Sequence, residues 1–102
     1  MTKKQFLLLK LIEECVEVAH RASKQLQFGK NEIQKDQPET NAYRLKGELL
    51  DLLALVNLLQ QESEIPLWTL EELEGATNKK QVKLQKYLNL SASLGQLPEI
   101  KL

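Results

Sequence analysis

The segment from Leu49 to Leu59 (LLDLLALVNLL) constrains the fold more than any other part of the chain. Only Asp51 and Asn57 interrupt its apolar residues. A helix that is apolar on nearly every side must be buried on most sides. The few short helices that fit into 102 residues cannot cover it well. We therefore predict that further copies of the chain complete the core, as a homodimer or a homotetramer. The alternative is a central helix covered by its own neighbours.

The apolar residues before this segment recur at intervals of three and four, which is typical of a helix. No stretch alternates polar and apolar residues for long, so the sequence predicts an all-α fold. It consists of antiparallel helices that form a helical bundle completed by oligomerisation. There are two long helices, a short helix and a basic last helix. Their expected ranges are Thr2 to Phe28, Thr40 or Asn41 to Ser63, Trp68 to Glu74, and Ala76 to Leu90.

Glycines and prolines mark the predicted boundaries between these helices. Gly29 is expected to end the first helix, and the polar stretch 29–40 with Pro38 is expected to form a loop. Gly75 is expected to separate the short helix from the last one. Chain length predicts one helical domain over residues 1–90. Residues 91–102 are expected to form an irregular C-terminal tail.

The charge balance excludes some classes of partner. The chain has 14 basic and 14 acidic residues, so its formal net charge is zero. A protein that binds nucleic-acid polymers usually carries a basic excess, and so does a polybasic membrane anchor. The single cysteine, Cys15, excludes an internal disulfide and a thiolate zinc site within one chain. The N-terminal segment lacks the cleavage site of a signal peptide. We therefore expect a cytoplasmic protein that binds neither nucleic-acid polymers nor membranes.

Two pairs of carboxylates occupy positions where an apolar helix face is expected. Glu14 and Glu17 lie on one face of the first helix, and Glu48 and Asp51 lie on one face of the second. Like charges at this spacing repel each other. Surface glutamates on amphipathic helices would explain either pair alone. Two pairs, each in the most apolar part of its helix, favour a divalent cation that neutralises them. Carboxylates without cysteine or paired histidine suit Mg²⁺ or Mn²⁺.

The motifs EECVE at Glu13–Glu17 and ELLD at Glu48–Asp51, followed by a lysine-rich last helix (NKKQVKLQKY), resemble the MazG-like all-α nucleoside triphosphate pyrophosphohydrolases. That family is related to the dimeric dUTPases, the dCTP pyrophosphatases and phosphoribosyl-ATP pyrophosphohydrolase. The resemblance covers roughly residues 7–90. It implies hydrolysis of the α–β phosphoanhydride of (d)NTPs to a nucleoside monophosphate and pyrophosphate, with Mg²⁺ as cofactor. Some relatives of this kind remove unwanted nucleotides from the cellular pool.

The resemblance also implies roles for individual residues. The Mg²⁺ ligands would be Glu14, Glu17, Glu48 and Asp51. Glu13 would complete the site or orient the attacking water, and it is the candidate catalytic residue. The substrate phosphates require cations beyond the metal, and the candidates lie on the first and last helices. They are Arg21, Lys24, Lys80 and Lys83. An ordinary solvated lysine face is the alternative for the last helix.

Several neighbouring residues have a less specific interpretation. Many relatives carry an asparagine seven residues after the motif aspartate, where this chain has Leu58. Asn57 lies on a different face of the helix from Asp51, so we assign it no substrate role. Phe28 and Trp68 are candidates for stacking on a base. Arg44, four residues before Glu48, is expected to pair with it.

Two other classes of protein compete with this interpretation. Glu17-Val18-Ala19-His20 matches the Glu-x-x-His motif of di-iron carboxylate bundles. In that alternative Asp51 would have no role, and His20 is expected at the surface of the first helix rather than in catalysis. The third class is a non-catalytic helical module for dimerisation or regulation, with a vestigial metal site.

Overall fold

The computed structural model describes every residue from Met1 to Leu102, and it contains three α-helices and no strand. Helix α1 spans Lys3–Phe28, α2 spans Asn41–Gln61 and α3 spans Leu70–Ser93. The all-α prediction is confirmed. None of the three helices carries an apolar stretch long enough to cross a membrane.

The ends of α1 follow from local chemistry. The Thr2 hydroxyl accepts a hydrogen bond from the backbone N–H of Gln5, and the Gln5 side chain accepts one from the backbone N–H of Thr2. This capping box satisfies two N–H groups that the helix leaves free. At the other end, Gly29 has a φ of 92°, which residues with a Cβ rarely adopt. The predicted first helix and its glycine stop are therefore confirmed.

Helix α2 begins where the sequence places a cap. The Thr40 hydroxyl accepts a hydrogen bond from the backbone N–H of Tyr43 at 3.3 Å. The connection before it, residues 29–40, contains no helix or strand, as predicted. The second helix ends at Gln61, two residues before the predicted end at Ser63.

Helices α1 and α2 form an antiparallel pair, because contacts join opposite ends of the two helices. At one end, Lys3 forms an ion pair with Glu62, and Lys4 pairs with Glu64 at 3.4 Å. At the other end, the Asn41 side-chain amide donates to the carbonyl of Gly29 at 2.9 Å. The antiparallel arrangement predicted for the first two helices is thus observed.

Few apolar side chains are buried between these two helices. The buried hydrophobic residues are Leu55 and Leu59, both on α2, and Leu59 is fully buried. Burial of one leucine side chain stabilises a fold by roughly 1.5–3 kcal/mol. The core of a single chain is therefore small, and much of the apolar surface of α1 and α2 faces outward.

The predicted break at Gly75 is wrong, because α3 runs through this residue without interruption. The helix begins at a capping box formed by Thr69 and Glu72, and it ends at Ser93, three residues beyond the predicted end at Leu90. A glycine inside a helix costs about 1 kcal/mol relative to alanine, which weakens a helix without ending it. The separate short helix and the separate last helix are in fact one element.

Two compact units divide the chain, residues 1–66 and residues 67–102. In the second unit, the C-terminal segment folds back onto α3. The Gln85 side chain donates to the carbonyl of Ile100 and accepts from the backbone N–H of Leu102, both at 2.8 Å. The segment after Ser93 contains no helix or strand, as expected for the tail. One helical domain over residues 1–90 stays a prediction.

We predict that Gly75→Ala raises the helix content and stabilises α3 by about 1 kcal/mol. An added Cβ at Gly75 meets no atom within 4 Å, so the substitution removes only the conformational freedom of glycine. Circular dichroism during thermal unfolding measures both effects.

Gly29→Ala is the matched control, because Gly29 has the same open surroundings but a positive φ. We expect this variant to be destabilised by about 1–2 kcal/mol, since a Cβ is unfavourable in that backbone conformation. A loss of stability in Gly75→Ala would contradict a continuous α3.

Candidate functional site

The packing of α1 against α2 brings three carboxylates together. One oxygen atom from each of Glu14, Glu48 and Asp51 lies within 4.8 Å of the other two. Glu14 comes from α1, and the other two occupy positions i and i+3 on α2. The antiparallel pairing places this part of α1 opposite the middle of α2. Three of the four predicted metal ligands therefore meet.

No basic side chain neutralises this cluster. The three ion pairs of the protein are Lys3–Glu62, Lys4–Glu64 and Lys10–Glu13, and none includes a member of the cluster. Glu14 and Glu48 are half-buried, whereas Asp51 is exposed. The Oε2 atom of Glu14 is shielded from solvent and has no hydrogen-bond partner.

The environment raises the pKa of Glu14 above its ordinary value of 4.5. The largest cause is desolvation, which disfavours the charged carboxylate. Repulsion by Asp51 and Glu48 adds to it, followed by repulsion from Glu17 and Glu13. Both causes oppose the charged form of Glu14, and no ion pair offsets them.

The chemistry of the cluster fits a hard divalent cation. It offers only oxygen ligands, which Mg²⁺ and Mn²⁺ prefer. The shielded Glu14 oxygen is a polar atom that lacks the partner such atoms normally have. A cation at this position would satisfy that oxygen and offset the repulsion among the carboxylates.

The other two predicted acidic site residues lie outside the cluster. Glu17 is exposed and forms no ion pair, and it contributes to the field around Glu14 without joining the three close oxygen atoms. Glu13 is also exposed, and its carboxylate accepts a hydrogen bond from the Lys10 ammonium at 2.9 Å. The catalytic role of Glu13 and the ligand role of Glu17 stay predictions.

The four predicted phosphate-binding residues lie in different parts of the fold. Arg21 is buried in the first unit, and the Lys24 ammonium lies 5.6 Å from the centre of the Phe28 ring. Lys80 and Lys83 lie exposed on α3 in the second unit, where the Lys83 ammonium is 6.0 Å from the centre of the Tyr87 ring. None of the four contacts a carboxylate.

The expected pairing of Arg44 with Glu48 is wrong. The Arg44 guanidinium donates instead to the side-chain oxygen of Gln34, at 2.5 Å, and Arg21 donates to the same oxygen at 3.4 Å. Helical spacing within one helix does not reveal this convergence, because the two arginines lie on different helices. The antiparallel pairing, which was predicted, could have placed Arg21 opposite Arg44. Helical periodicity could not have indicated Gln34, because this residue lies in the loop between the helices.

The surroundings of the di-iron motif differ from those of the carboxylate cluster. His20 is exposed, as expected for a residue on the surface of α1, and neither His20 nor Glu17 belongs to the cluster.

The candidate base-stacking residues Phe28 and Trp68 are both about half exposed, at 49% and 46%. Cys15 is a free, exposed thiol.

No protein-family model, curated protein or solved structure matches this chain.

We predict that Glu14→Gln raises the melting temperature of the metal-free protein at neutral pH, because a neutral amide removes the desolvation and repulsion that oppose the Glu14 charge. With its pKa raised in the folded state, Glu14 binds more protons in the native than in the unfolded chain above pH 4.5. Stability therefore falls as the pH rises through this range. The stabilisation by Glu14→Gln is expected to be small near pH 4.5 and to grow with pH.

Thermal unfolding in the presence of a chelator, at a series of pH values, measures this difference. Glu39→Gln is the control, because Glu39 is exposed in the loop and forms no ion pair. A variant that is less stable than the parent protein at every pH would show that Glu14 has a partner that stabilises its charge.

Proposed function

We propose that the protein is an Mg²⁺-dependent nucleoside triphosphate pyrophosphohydrolase of the MazG-like type. It would hydrolyse the α–β phosphoanhydride of (d)NTPs to a (d)NMP and pyrophosphate. The observation that carries the proposal is the meeting of Glu14, Glu48 and Asp51 across two helices, with the shielded Glu14 oxygen unpartnered. The motifs that contain these residues are the ones on which the family resemblance rests. Removal of unwanted nucleotides from the cellular pool is the proposed role.

The charge of the substrate explains why such a cluster requires a cation. A nucleoside triphosphate is strongly negative and is repelled by three neighbouring carboxylates. Glu14, Glu48 and Asp51 would hold Mg²⁺, with Mn²⁺ as a substitute and with Glu17 as the proposed fourth ligand. When bound, Mg²⁺ would neutralise phosphate charge and lower the pKa of a coordinated water.

A carboxylate near the cluster would accept the proton of the attacking water. Glu13 is the proposed residue, and it would have to release Lys10 to do so. By the family resemblance, the proposed contacts to phosphate are Arg21, Lys24, Lys80 and Lys83, and none of the four forms an ion pair.

We predict that Asp51→Asn and Glu48→Gln each lower the pyrophosphohydrolase activity by at least about 100-fold, because each removes a charged oxygen ligand of the cation. The assay incubates each dNTP and NTP with the protein and Mg²⁺, and it separates the products by anion-exchange chromatography. We expect a monophosphate and pyrophosphate in equal amounts.

Glu39→Gln again serves as the control, and it should retain the activity of the parent protein. Release of inorganic phosphate with a nucleoside diphosphate would contradict cleavage at the α–β bond. Absence of turnover for every nucleotide would favour a non-catalytic module.

The proposal includes a homo-oligomer, either a dimer or a tetramer, located in the cytoplasm. The outward surface of the first two helices supports self-association. Many large apolar side chains on it are at least 39% exposed, among them Leu8, Leu9, Ile12 and Val16 on α1 and Leu49, Leu50, Leu53 and Leu58 on α2. An apolar surface of this kind marks an interaction site in a soluble protein. The free thiol of Cys15 is compatible with a reducing compartment.

We predict that the protein sediments as a dimer or larger species, well above the chain mass of 11.7 kDa. Leu53 is 57% exposed on the outward face of α2, so Leu53→Asp would place a charge within the proposed interface. This variant should shift the distribution towards monomer in analytical ultracentrifugation. Lys35→Asp in the loop is the control and should leave the distribution unchanged. At about 100 μM, a dimer with a micromolar dissociation constant would be almost fully associated. A parent protein that remains monomeric at this concentration would contradict the oligomer.

A further inference from the structure

Two arginine side chains from different helices converge on one uncharged oxygen atom. Arg21 of α1 and Arg44 of α2 both donate through Nη1 to Oε1 of Gln34, at 3.4 and 2.5 Å. The two guanidinium groups therefore lie within reach of one small acceptor placed between them. Three elements build this position, namely the two helices and the loop that joins them.

No carboxylate neutralises the two guanidinium groups. Neither arginine takes part in any of the three ion pairs of the protein. Glu17 lies one turn from Arg21, and Glu48 lies one turn from Arg44, but neither comes within ion-pairing distance. Arg21 retains only 9% of its exposure. Burial of an unpaired charge is unfavourable, and a second like charge beside it increases the cost.

Each guanidinium also retains free hydrogen-bonding capacity. An arginine side chain has five N–H donors, and Arg21 and Arg44 each use one, on the same Gln34 oxygen. Guanidinium groups match the oxygen atoms of phosphate in geometry and bind them with two parallel hydrogen bonds. The Gln34 oxygen thus occupies a position better suited to an oxyanion.

We propose that Arg21 and Arg44 form a binding site for a phosphoryl group, with the Gln34 side chain occupying the site until the anion displaces it. The positive charge of the two arginines, which is uncompensated in the free protein, would be neutralised by this ligand. Arg44 thereby becomes a binding residue in addition to Arg21, and Gln34 is the side chain that occupies the site in the free protein.

The location of the site identifies the ligand as part of a polyphosphate, and this identification rests on the proposed function. Arg44 precedes Glu48 by four residues, which is about 6 Å along a helix. One polyphosphate can therefore contact both the carboxylate cluster, through its cation, and the arginine pair. The arginines would bind a phosphoryl group other than the one bound nearest to the cation.

Titration calorimetry with inorganic pyrophosphate tests the site without turnover. The full chain is titrated in the presence of a chelator, so that the carboxylate cluster cannot contribute through a metal. We expect saturable binding to the parent protein and at least about tenfold weaker binding to Arg44→Gln, since a charged hydrogen-bonding group is lost. Lys35→Gln removes one positive charge from the same loop and should change the affinity by less than about twofold.

Gln34→Glu provides a second and independent test. A carboxylate at this position would neutralise both arginines permanently, so the melting temperature should rise and pyrophosphate binding should disappear. In the parent protein, pyrophosphate itself should raise the melting temperature, because a ligand stabilises the state that binds it. A purely structural arginine pair predicts the higher melting temperature of Gln34→Glu but no pyrophosphate binding by the parent protein.

The outcomes separate this site from the proposed function. Failure of the parent protein to bind pyrophosphate, or equal binding by Arg44→Gln, would overturn the site. Nucleotide hydrolysis with an unchanged KM in Arg44→Gln would also overturn it, while the proposed function would stand. Pyrophosphate binding that depends on Arg44, in a protein that hydrolyses no nucleotide, would support the site and contradict the proposed function.

Discussion

The antiparallel packing of α1 against α2 is the constraint on which the rest of the first unit depends. It places Glu14 of α1 beside Glu48 and Asp51 of α2, and further along the same pair it brings Arg21 towards Arg44. Like charges therefore lie close together at two places along the helix pair. The faces through which helices pack are usually apolar, and like charges close to each other repel. The fold maintains this arrangement although the repulsion within each group of like charges disfavours it.

The balance of fourteen acidic and fourteen basic residues conceals this separation of charge. Net charge is a sum over the chain, whereas binding depends on where individual charges lie and how far solvent screens them. At Glu14, desolvation and then the neighbouring carboxylates raise the pKa of the carboxyl group, although the net charge of the chain is zero. A chain with no net attraction for a polyanion can thus have one region suited to cations and another suited to phosphoryl groups.

The sequence predicted α1, α2 and their boundaries well, because caps and glycine stops are local features. Thr2, Gly29 and Thr40 act through neighbouring backbone groups, and such effects are visible in a short window of sequence. Gly75 does not end a helix, and the sequence alone is ambiguous there because glycine occurs both after helices and inside them. The carboxylate cluster was predicted in large part, since helical spacing and antiparallel packing together suffice for Glu14, Glu48 and Asp51. Gln34 was beyond prediction, because its position depends on an irregular loop.

The hydrogen bonds of Asn41 hold together the two ends of the loop that joins α1 to α2. Asn41 is almost completely buried, and its side-chain amide joins the carbonyl of Gly29 to the carboxylate of Glu32. Its backbone N–H also donates to the carbonyl of Glu32. These bonds close the base of the loop and fix how far α2 is displaced along α1. At the loop end of the helix pair, the alignment of acidic with acidic and of basic with basic residues is therefore supported by an asparagine that belongs to neither cluster.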